Sequence, residues 1–494
     1  MASSMLAKVS GLFERLDADG IGYCHWKSNW ILEETLAGAT DLDLLVERSN
    51  ASSFRKLLQD LGFRPAIELG FAPYPSVEHY HALDETSGRL VHVHAYYRVI
   101  SGDSLTKSYR LPLEAMLLGN LTRLGIVNVP SKGSELIVFV LRMHLKHTTA
   151  AELALVLRDW KKVEREVSWL ASEEARTEAA TLLRVWLPSF DARLFDAALN
   201  ALLAPAPLWK RILIARRVRA ELRFFARYGR ARTSIVGLHK FVDKAATRLR
   251  GSRKGLAPAG GGAVIAFVGA EASGKSTMLH AVDRWLGSHF TVKRIHAGKP
   301  PSTPLTVLPN LLLPALRALV PDQRSTLVSA RLGAGNDESM GKQPFPLLFG
   351  VRSVLLAHDR RVLLTRAFGS SANGAIVLCD RYPSVDSGAL DGAQLGPGHP
   401  APGGLVRRWL ADLEARWYRE IPPPDLVIQL TAPLQVTLER NRTRTKSEPD
   451  EYVLSRHVRS SKLQFERVPV QKVDTNRPLN ESTREIRRVI WDAL

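Results

Sequence analysis

The stretch that most constrains the fold of this 494-residue chain is GAEASGKST, residues 269–277, which directly follows the apolar run AVIAFV. Gly269 and Gly274 enclose four residues and precede Lys275 and Ser276. This spacing satisfies the phosphate-binding loop pattern, in which the glycines turn backbone N–H groups toward a phosphate and the lysine supplies a positive charge. The apolar run before the loop predicts a buried strand, and the stretch after it predicts a helix whose positive end faces the same anion.

The loop predicts ATP or another nucleoside triphosphate, with Mg²⁺, as the cofactor. The Ser276 hydroxyl is a candidate Mg²⁺ ligand, and so is Asp380, which ends the apolar run AIVLC. Ligands of open parallel sheets bind at the carboxyl ends of the strands, so Asp380 and the adjacent Arg381 are expected to reach the phosphates. The expected nucleotide contacts are Gly269, Ala272, Ser273, Gly274, Lys275, Ser276 and Thr277.

The order of apolar runs and helical stretches predicts how the chain is divided. After residue 263 strand-like runs alternate with helical stretches, which predicts an α/β domain with a parallel sheet covered by helices. Residues 134–204 carry apolar side chains at helical spacing and predict a helical extension. The stretch GSRKGLAPAGGG predicts a flexible linker. The predicted segments are residues 1–133, 134–250, 251–262 for the linker, and 263–494.

The formal net charge of +19 is concentrated in residues 208–254, which hold 15 Lys and Arg against two acids and carry +13 of it. Apolar residues recur here at helical spacing: Leu208, Ile212, Ala215, Val218, Leu222 and Phe225. This pattern predicts an amphipathic helix with an arginine-rich face. Two interpretations stay open, a solvated connecting helix and a surface that binds nucleic acid or an anionic membrane.

The cysteines and the amino-terminal sequence bear on the compartment. Cys24 and Cys379 lie far apart and fit neither a disulfide framework nor a Cys-based metal site. The first residues carry charges where a signal peptide needs an apolar core, and no segment reaches the roughly 18 apolar residues of a membrane span. A cytoplasmic protein without a transmembrane segment is expected.

Four segments after residue 263 are similar to the motifs of one kinase family. They are GAEASGKS, LLAHDRRVLLTRA, CDRYP, and the run from PPPDLVIQL to ERNRTR. With them, residues 263–494 resemble the thymidylate kinases, which belong to the nucleoside monophosphate kinases. The resemblance implies a P-loop NTPase fold and transfer of the γ-phosphate of ATP to a nucleoside monophosphate or another phosphorylated small molecule.

The resemblance also implies roles for individual residues. Those expected at the acceptor are Glu271, Arg360, Arg381 and Tyr382. Those expected to act in catalysis are Lys275, Asp380, Arg381, Arg442 and Arg444, the last two on a mobile lid that also carries Arg440. Charge in the transition state spreads over three phosphoryl oxygens, and a well-placed arginine therefore accelerates the transfer.

Two acceptor-side motifs of that family are missing. HAGKPPSTPL stands where an Arg-Glu-Pro-Gly segment is expected, and VDSGALDGAQL replaces the residues that read thymine. A pocket without its hydrogen-bond partners loses discrimination between ligands. The sequence therefore predicts an anionic acceptor that is not selected by the rules of thymidylate kinases.

The amino-terminal part carries a different pattern, in which Asp41 and Asp43 lie two residues apart in LAGATDLDLLVERS. On a strand such residues share a face and can bind the same metal ions. With Ser28 upstream and the later run LVHVHAYY, residues 21–204 resemble an α+β nucleotidyltransferase domain, which implies metal binding at Asp41 and Asp43. The family's glycine before Ser28 is missing, and His92 stands where a third carboxylate is expected.

Three functions are therefore in competition. The arginines near the expected acceptor favour a phosphotransferase. The basic stretch favours an ATP-gated protein that binds nucleic acid or an anionic surface. Asp41 and Asp43 favour a nucleotidyltransferase with a kinase-like regulatory domain.

Overall fold

The computed structural model describes residues 5–69, 74, 76–103, 106–146, 158–204, 207–249, 255–312, 345–384, 390–395, 404–444 and 447–494. Two compact units divide the chain, Met1–Arg250 and Gly251–Leu494. Among the described residues, no helix combines the length and the apolar character needed to cross a membrane.

The first unit mixes strands and helices. Five of its strands lie side by side in the order β1-β2-β5-β4-β3. Strand β2 runs parallel to β5, whereas β1 pairs with β2, and β4 with both β3 and β5, in antiparallel fashion. Their bounds are Tyr23–His25 (β1), Leu42–Val46 (β2), Arg64–Glu68 (β3), Val77–Asp84 (β4) and Arg89–Tyr96 (β5). Two short antiparallel pairs follow: Val99–Ser101 (β6) with Tyr109–Leu111 (β7), and Leu121–Leu124 (β8) with Val127–Pro130 (β9).

Helices account for the rest of the first unit. Ala7–Ala18 precedes β1, and three more helices fall between strands: Leu32–Leu36, Ala51–Asp60 and Glu114–Gly119. The predicted helical region after residue 134 is confirmed by Lys132–Lys146, Trp160–Leu170, Glu173–Trp186 and Ala192–Leu203. The predicted segments 1–133 and 134–250 both fall in the first unit, and the boundary between them stays a prediction. One hydrophobic core joins Trp26 and Tyr96 of the strand region to Leu136 and Val167 of these helices.

The basic stretch forms two helices rather than one, Leu208–Glu221 and Arg230–Leu249, with a 3₁₀ turn at Leu222–Phe225 between them. Val218 and Leu222 are buried in the core of the first unit, as their spacing predicts. Arg216 and Arg217 are exposed on the other side of the first helix. The predicted division into an apolar and an arginine-rich face is only partly present, because Arg211 is buried and Leu208 is exposed. Binding of nucleic acid or an anionic surface by this stretch stays a prediction.

The second unit is built on a parallel sheet in the order β12-β13-β11-β14-β15. All four neighbouring pairs are parallel, which confirms the predicted α/β sheet. After the central strand β11, the chain forms β12 and β13 on one side of it and then β14 and β15 on the other side. In parallel sheets a crevice opens where the strand order reverses in this way, here at the carboxyl end of β11. The bounds are Val264–Gly269 (β11), Val292–His296 (β12), Ile376–Asp380 (β13), Leu426–Thr431 (β14) and Val470–Asp474 (β15).

Helices alternate with these strands in sequence. Their bounds are Lys275–Gly287, Leu347–Ala372, Gly404–Arg419, Leu434–Arg442, Asp450–Ser461 and Leu479–Ala493. Within the segment 251–262, predicted as a flexible linker, Leu256–Pro258 forms a short buried strand, β10. Residues 251–254 of that segment lie outside the described residues.

Candidate active site

The loop after β11 has a backbone that few residues can adopt. Gly269 has φ +144°, and a Cβ at this position would collide with the carbonyl oxygen of Leu430. Gly274 has φ +88° where the helix Lys275–Gly287 begins. Ala272 holds φ +57°, a left-handed conformation that costs a residue with a Cβ about 1–2 kcal/mol. The positive φ values turn the loop tightly around the start of the helix, as the glycine spacing predicts.

The Lys275 side chain is buried and folds back over this loop. Its Nζ donates to the carbonyl oxygens of Gly269 and Ala270, at 3.1 and 2.5 Å. Burial lowers the pKa of Lys275 to about 8, and the positive charge of Arg381 adds to that effect. The ammonium therefore lies where a phosphate would meet it, and an anion there would favour its charged form.

Asp380 ends β13 beside the carboxyl end of β11 and pairs in register with Phe267 on one side and His296 on the other. Its Oδ2 lies 3.2 Å from His296 Nδ1. Its Oδ1 is buried, and no group in the described part of the chain donates a hydrogen bond to it. A buried carboxylate oxygen with spare acceptor capacity fits the second coordination sphere of Mg²⁺ or a direct bond to it. Ser276 and Thr277 are exposed at the same end of the sheet.

Two adjoining cavities open at this edge of the sheet. The larger, which we call the loop cavity, has a volume of about 720 Å³ and is lined by Lys275, Ser276, Thr277 and Asp380. The smaller, which we call the arginine cavity, has about 260 Å³ and is lined by Arg352, Arg360, Arg456, Arg459 and Asp391. Both cavities are lined by His296, Lys299, Arg381 and Tyr452. A group bound in one cavity can therefore contact a group bound in the other.

Glu271, inside the loop, gathers three of the arginines around one carboxylate. Arg381 Nη2 donates to Glu271 Oε1, Arg456 Nε lies 3.2 Å from the same oxygen, and Arg444 Nη1 lies 3.8 Å from Oε2. Burial alone would raise the pKa of Glu271, but Arg381, Lys275 and Arg456 outweigh it and lower the pKa to about 2. Glu271 is thus ionised at every physiological pH and holds the cations together.

Asp391 is a second, largely buried carboxylate in the cluster, with a side chain that is 13% exposed, and sequence analysis missed it. Its side chain lies 3.2 Å from Arg360 Nη2 and 3.4 Å from both Arg381 Nη1 and Arg456 Nη2. Burial opposes ionisation, yet Arg456, Arg381 and Arg360 lower the pKa of Asp391 well below its usual range. Arg381 therefore bridges Glu271 and Asp391 with two different nitrogens.

Arg360 was expected at the acceptor, and the structure places it in the wall of the arginine cavity with its donors engaged. Its Nε donates to Ala297 O at 2.8 Å, and Nη1 donates to Tyr418 Oη at 2.7 Å and to Asp391 O at 2.8 Å. Burial disfavours its charge, but Tyr418 and Asp391 raise the pKa of Arg360 overall. These contacts hold Asp391 in place and stabilise the wall of the arginine cavity.

The expected lid arginines differ in position. Arg444 and Arg440 line the loop cavity, and Arg440 Nη2 donates to Thr475 O at 2.8 Å. Arg442 has a side chain that is 65% exposed and pairs with Asp450 at 2.7 Å, away from both cavities. Arg444 therefore has the better position to act on a phosphate.

Tyr382 follows Arg381 but points elsewhere. Arg381 has φ +72°, which turns the chain sharply after β13. The Tyr382 ring is buried in the core of the second unit, and its hydroxyl donates to Pro422 O. The expected contact of Tyr382 with an acceptor stays a prediction. In the structure, Tyr382 anchors the turn that contains Arg381.

Sequence analysis also missed Arg456, which lies in the helix Asp450–Ser461 and contacts both Glu271 and Asp391. The signal that could have identified it is its place in an arginine-rich helix directly after the expected lid. Asp391 gave a weaker signal, because it is one of two acids in the stretch VDSGALDGAQL, which carries no recognisable motif.

In the first unit, Asp41 and Asp43 lie beside imidazoles and an ammonium group. Asp41 Oδ1 is 2.8 Å from His92 Nδ1, and Asp43 Oδ1 is 2.9 Å from Lys27 Nζ and 3.3 Å from His94 Nδ1. Burial alone would raise the pKa of Asp43, but Lys27 and His94 lower it strongly. Ser28, expected near these acids, instead donates to Glu166 at 3.4 Å. Metal binding by Asp41 and Asp43 stays a prediction, and Lys27 already neutralises one of the two charges.

Comparisons with known proteins give little information about the function of this site. No protein-family model matches the chain, and no curated protein matches it either. Among solved structures, the chain is similar to deoxyadenosine kinase from M. mycoides with bound dATP, at 14% identity and a TM-score of 0.28. That similarity covers 46% of this chain and 98% of the kinase chain. A similarity at this level does not assign a function to the chain.

Proposed function

We propose that the second unit is a phosphotransferase that moves the γ-phosphate of ATP, or of another nucleoside triphosphate, to a phosphorylated small-molecule acceptor. The observation that carries the proposal is Arg381, which lies in the wall shared by the loop cavity and the arginine cavity. A guanidinium in that position can contact the donor phosphate and the acceptor phosphate together.

The residues present fit a nucleotide and its metal ion in the loop cavity. The loop N–H groups and Lys275 would hold the β- and γ-phosphates, and Ser276 and Asp380 would hold Mg²⁺, which neutralises phosphate charge when bound. Entry of the phosphates would free Lys275 from the loop carbonyls that it contacts now. Arg444 would then approach the transferring group from the lid side.

The arginine cavity would hold the acceptor. Its cationic lining favours an anion, and Phe349 and Leu356 give it an apolar wall. Its volume of about 260 Å³ favours a small molecule over a polymer. We expect the acceptor phosphate to approach Arg381 and Arg456, since these two arginines connect the cavity to the loop.

The proposal is tested by incubating the full chain with γ-labelled ATP, Mg²⁺ and a panel of nucleoside monophosphates and sugar phosphates. We expect label transfer to at least one acceptor, with thymidine monophosphate a poor substrate or none. The Lys275→Ala variant should lose the transfer. Lys293→Ala is the matched control, because Lys293 Nζ donates to Ser370 outside both cavities. Equal turnover by the Lys275→Ala variant and the wild type would rule the proposal out.

A further inference from the structure

The helix Arg230–Leu249, the second helix of the basic stretch, turns apolar side chains outward. Four of them are each more than half exposed: Ile235, Leu238, Phe241 and Val242. With 3.6 residues per turn these positions fall within an arc of about 120°, and we call them the exposed stripe. Single exposed apolar residues are common on protein surfaces, whereas a contiguous group of this kind marks an interaction site.

The opposite side of the same helix packs against other parts of the first unit. Val236 is buried, and Lys240 Nζ lies 4.0 Å from the centre of the Tyr74 ring. Gly237 also faces inward, since a Cβ at this position would lie 3.6 Å from Thr106 Cγ2. A surface helix usually buries its apolar face and exposes its charges. This helix instead packs through a face that includes a lysine and leaves a more apolar face exposed.

Positive charge accompanies the exposed stripe. Residues 230–249 hold five Lys and Arg against one acid, and the whole basic stretch carries +13. Arg232 is exposed at a position beside Ile235 on the helix surface. The face therefore combines an apolar centre with basic residues, and the partner that complements it has both apolar and anionic groups.

The first helix of the basic stretch and the turn after it show the same combination. Trp209 and Leu213 are exposed one helical turn apart, and Phe224 in the 3₁₀ turn is 80% exposed. Arg216 and Arg217 are exposed on the same helix as Trp209. Tryptophan is enriched where proteins meet the interface between lipid and water. Exposed apolar side chains and exposed arginines thus occur together in both helices.

Three kinds of partner differ in how well they complement this surface. Nucleic acid would engage the cations through its phosphates and aromatic rings through its bases, but it offers no apolar partner to Ile235, Leu238 and Val242. A second copy of the chain would bring two basic stretches of +13 together, and like charges across an interface are unfavourable. An anionic bilayer offers acyl chains to the apolar side chains and charged headgroups to the cations.

We propose that the helix Arg230–Leu249 docks on an anionic membrane surface, with the exposed stripe inserted at the boundary between headgroups and acyl chains. The stripe covers one face only, and no helix in the described part of the chain is long and apolar enough to cross a membrane. The helix therefore lies in the plane of the interface. This proposal is independent of the phosphotransferase proposed for the second unit.

The test is co-sedimentation of the full chain with vesicles of equal parts phosphatidylcholine and phosphatidylglycerol, compared with pure phosphatidylcholine vesicles. We expect binding to the anionic vesicles that weakens as salt rises, and binding at least about tenfold weaker to the uncharged ones. The Leu238→Gln/Val242→Gln variant keeps every charge and should bind the anionic vesicles about 10- to 100-fold more weakly, because two apolar side chains no longer insert.

The variant should unfold at the temperature of the wild type, because both substituted side chains are exposed. Val185→Gln is the matched control and should bind the vesicles as the wild type does. Val185 is also more than half exposed, and it lies in the helix Glu173–Trp186, outside the basic stretch.

A second measurement reports insertion directly. Cys24 and Cys379 are buried, so a thiol-reactive, environment-sensitive fluorophore should label the cysteine introduced by Leu238→Cys. Anionic vesicles should shift the emission of this label to shorter wavelength, as transfer into apolar surroundings does, whereas duplex DNA should not. The label on a Val185→Cys variant should shift with neither.

Three results would overturn the proposal. The first is a wild type that does not bind anionic vesicles at low salt. The second is a Leu238→Gln/Val242→Gln variant that binds as tightly as the wild type, or an unshifted label on vesicle-bound protein, because charge alone would then explain the binding. The third is a dimer of the full chain, seen by sedimentation velocity, that the double variant abolishes, because the stripe would then join two copies.

Discussion

Replacing Arg381 by lysine keeps the positive charge and removes the fork that connects two carboxylates. Arg381 uses Nη2 for Glu271 and Nη1 for Asp391, the latter at 3.4 Å. A lysine ammonium is a single point charge and cannot reach both groups in the same geometry. We therefore expect the variant to lose one charge-assisted hydrogen bond in the site.

With the fork gone, one charge-assisted hydrogen bond to a phosphate in the transition state should also be lost; such a bond is worth about 1.5–3 kcal/mol, which corresponds to a decrease in kcat/KM of roughly 10- to 150-fold. The assay is label transfer from γ-labelled ATP to the best acceptor of the panel, with kcat and KM determined separately. The affinity for ATP alone should change little, because Lys275 and the loop backbone hold most of the nucleotide. Thermal unfolding of the variant checks that the fold is intact.

Arg361→Lys is the matched control for this prediction. Arg361 directly follows Arg360 in the helix Leu347–Ala372, pairs with Glu420 and lines neither cavity. A pair of this exposed kind contributes about 0–1 kcal/mol to stability, and its loss should leave kcat/KM unchanged. If Arg381→Lys retains kcat/KM within threefold of the wild type for every acceptor, the bridging role is refuted.

Two further predictions concern the same site. Because its pKa is lowered to about 8, Lys275 loses its proton near pH 8 in the ligand-free protein, whereas a bound phosphate favours the protonated form. Nucleotide binding near pH 8 should therefore take up a proton. Above pH 8 the affinity for the nucleotide should fall by up to about tenfold per pH unit. Calorimetry in buffers of different ionisation enthalpy measures the uptake, and a constant Kd from pH 7 to 9.5 would contradict the prediction. Arg456→Gln should lower kcat/KM more than tenfold, whereas Arg442→Gln should lower it less than threefold, because Arg456 contacts both buried carboxylates and Arg442 lies away from the cavities. Equal decreases in kcat/KM for the two variants would show that contact with Glu271 does not decide which arginine contributes to catalysis.

The sequence was sufficient for the parts of the site that local structure determines. The glycine spacing and the apolar runs located Lys275 and Asp380, because a short loop and a strand end position their own side chains. Asp391 and Arg456 could not be found in this way. They meet across 65 residues of chain, and that contact depends on how a loop and a helix pack.

Arg381 and Tyr382 show the limit of motif reasoning at neighbouring positions. The motif groups both residues in one role, but the positive φ of Arg381 sends the two side chains in different directions. A motif specifies residue types, and the backbone conformation decides which of them reach the cavity. In the first unit, likewise, spacing placed Asp41 and Asp43 together, but it could not reveal that Lys27 lies 2.9 Å from Asp43.

The charge in the second unit's site also indicates what kind of ligand completes it. The arginine cavity is lined by six cationic side chains and by the carboxylate of Asp391; the cations are Lys299, Arg352, Arg360, Arg381, Arg456 and Arg459. Buried charges of one sign are costly without a partner, and Asp391 balances only part of this positive charge. A phosphate monoester carries close to two negative charges near neutral pH, whereas a carboxylate carries one. The balance of charge therefore favours a phosphorylated acceptor over a carboxylic acid of the same size.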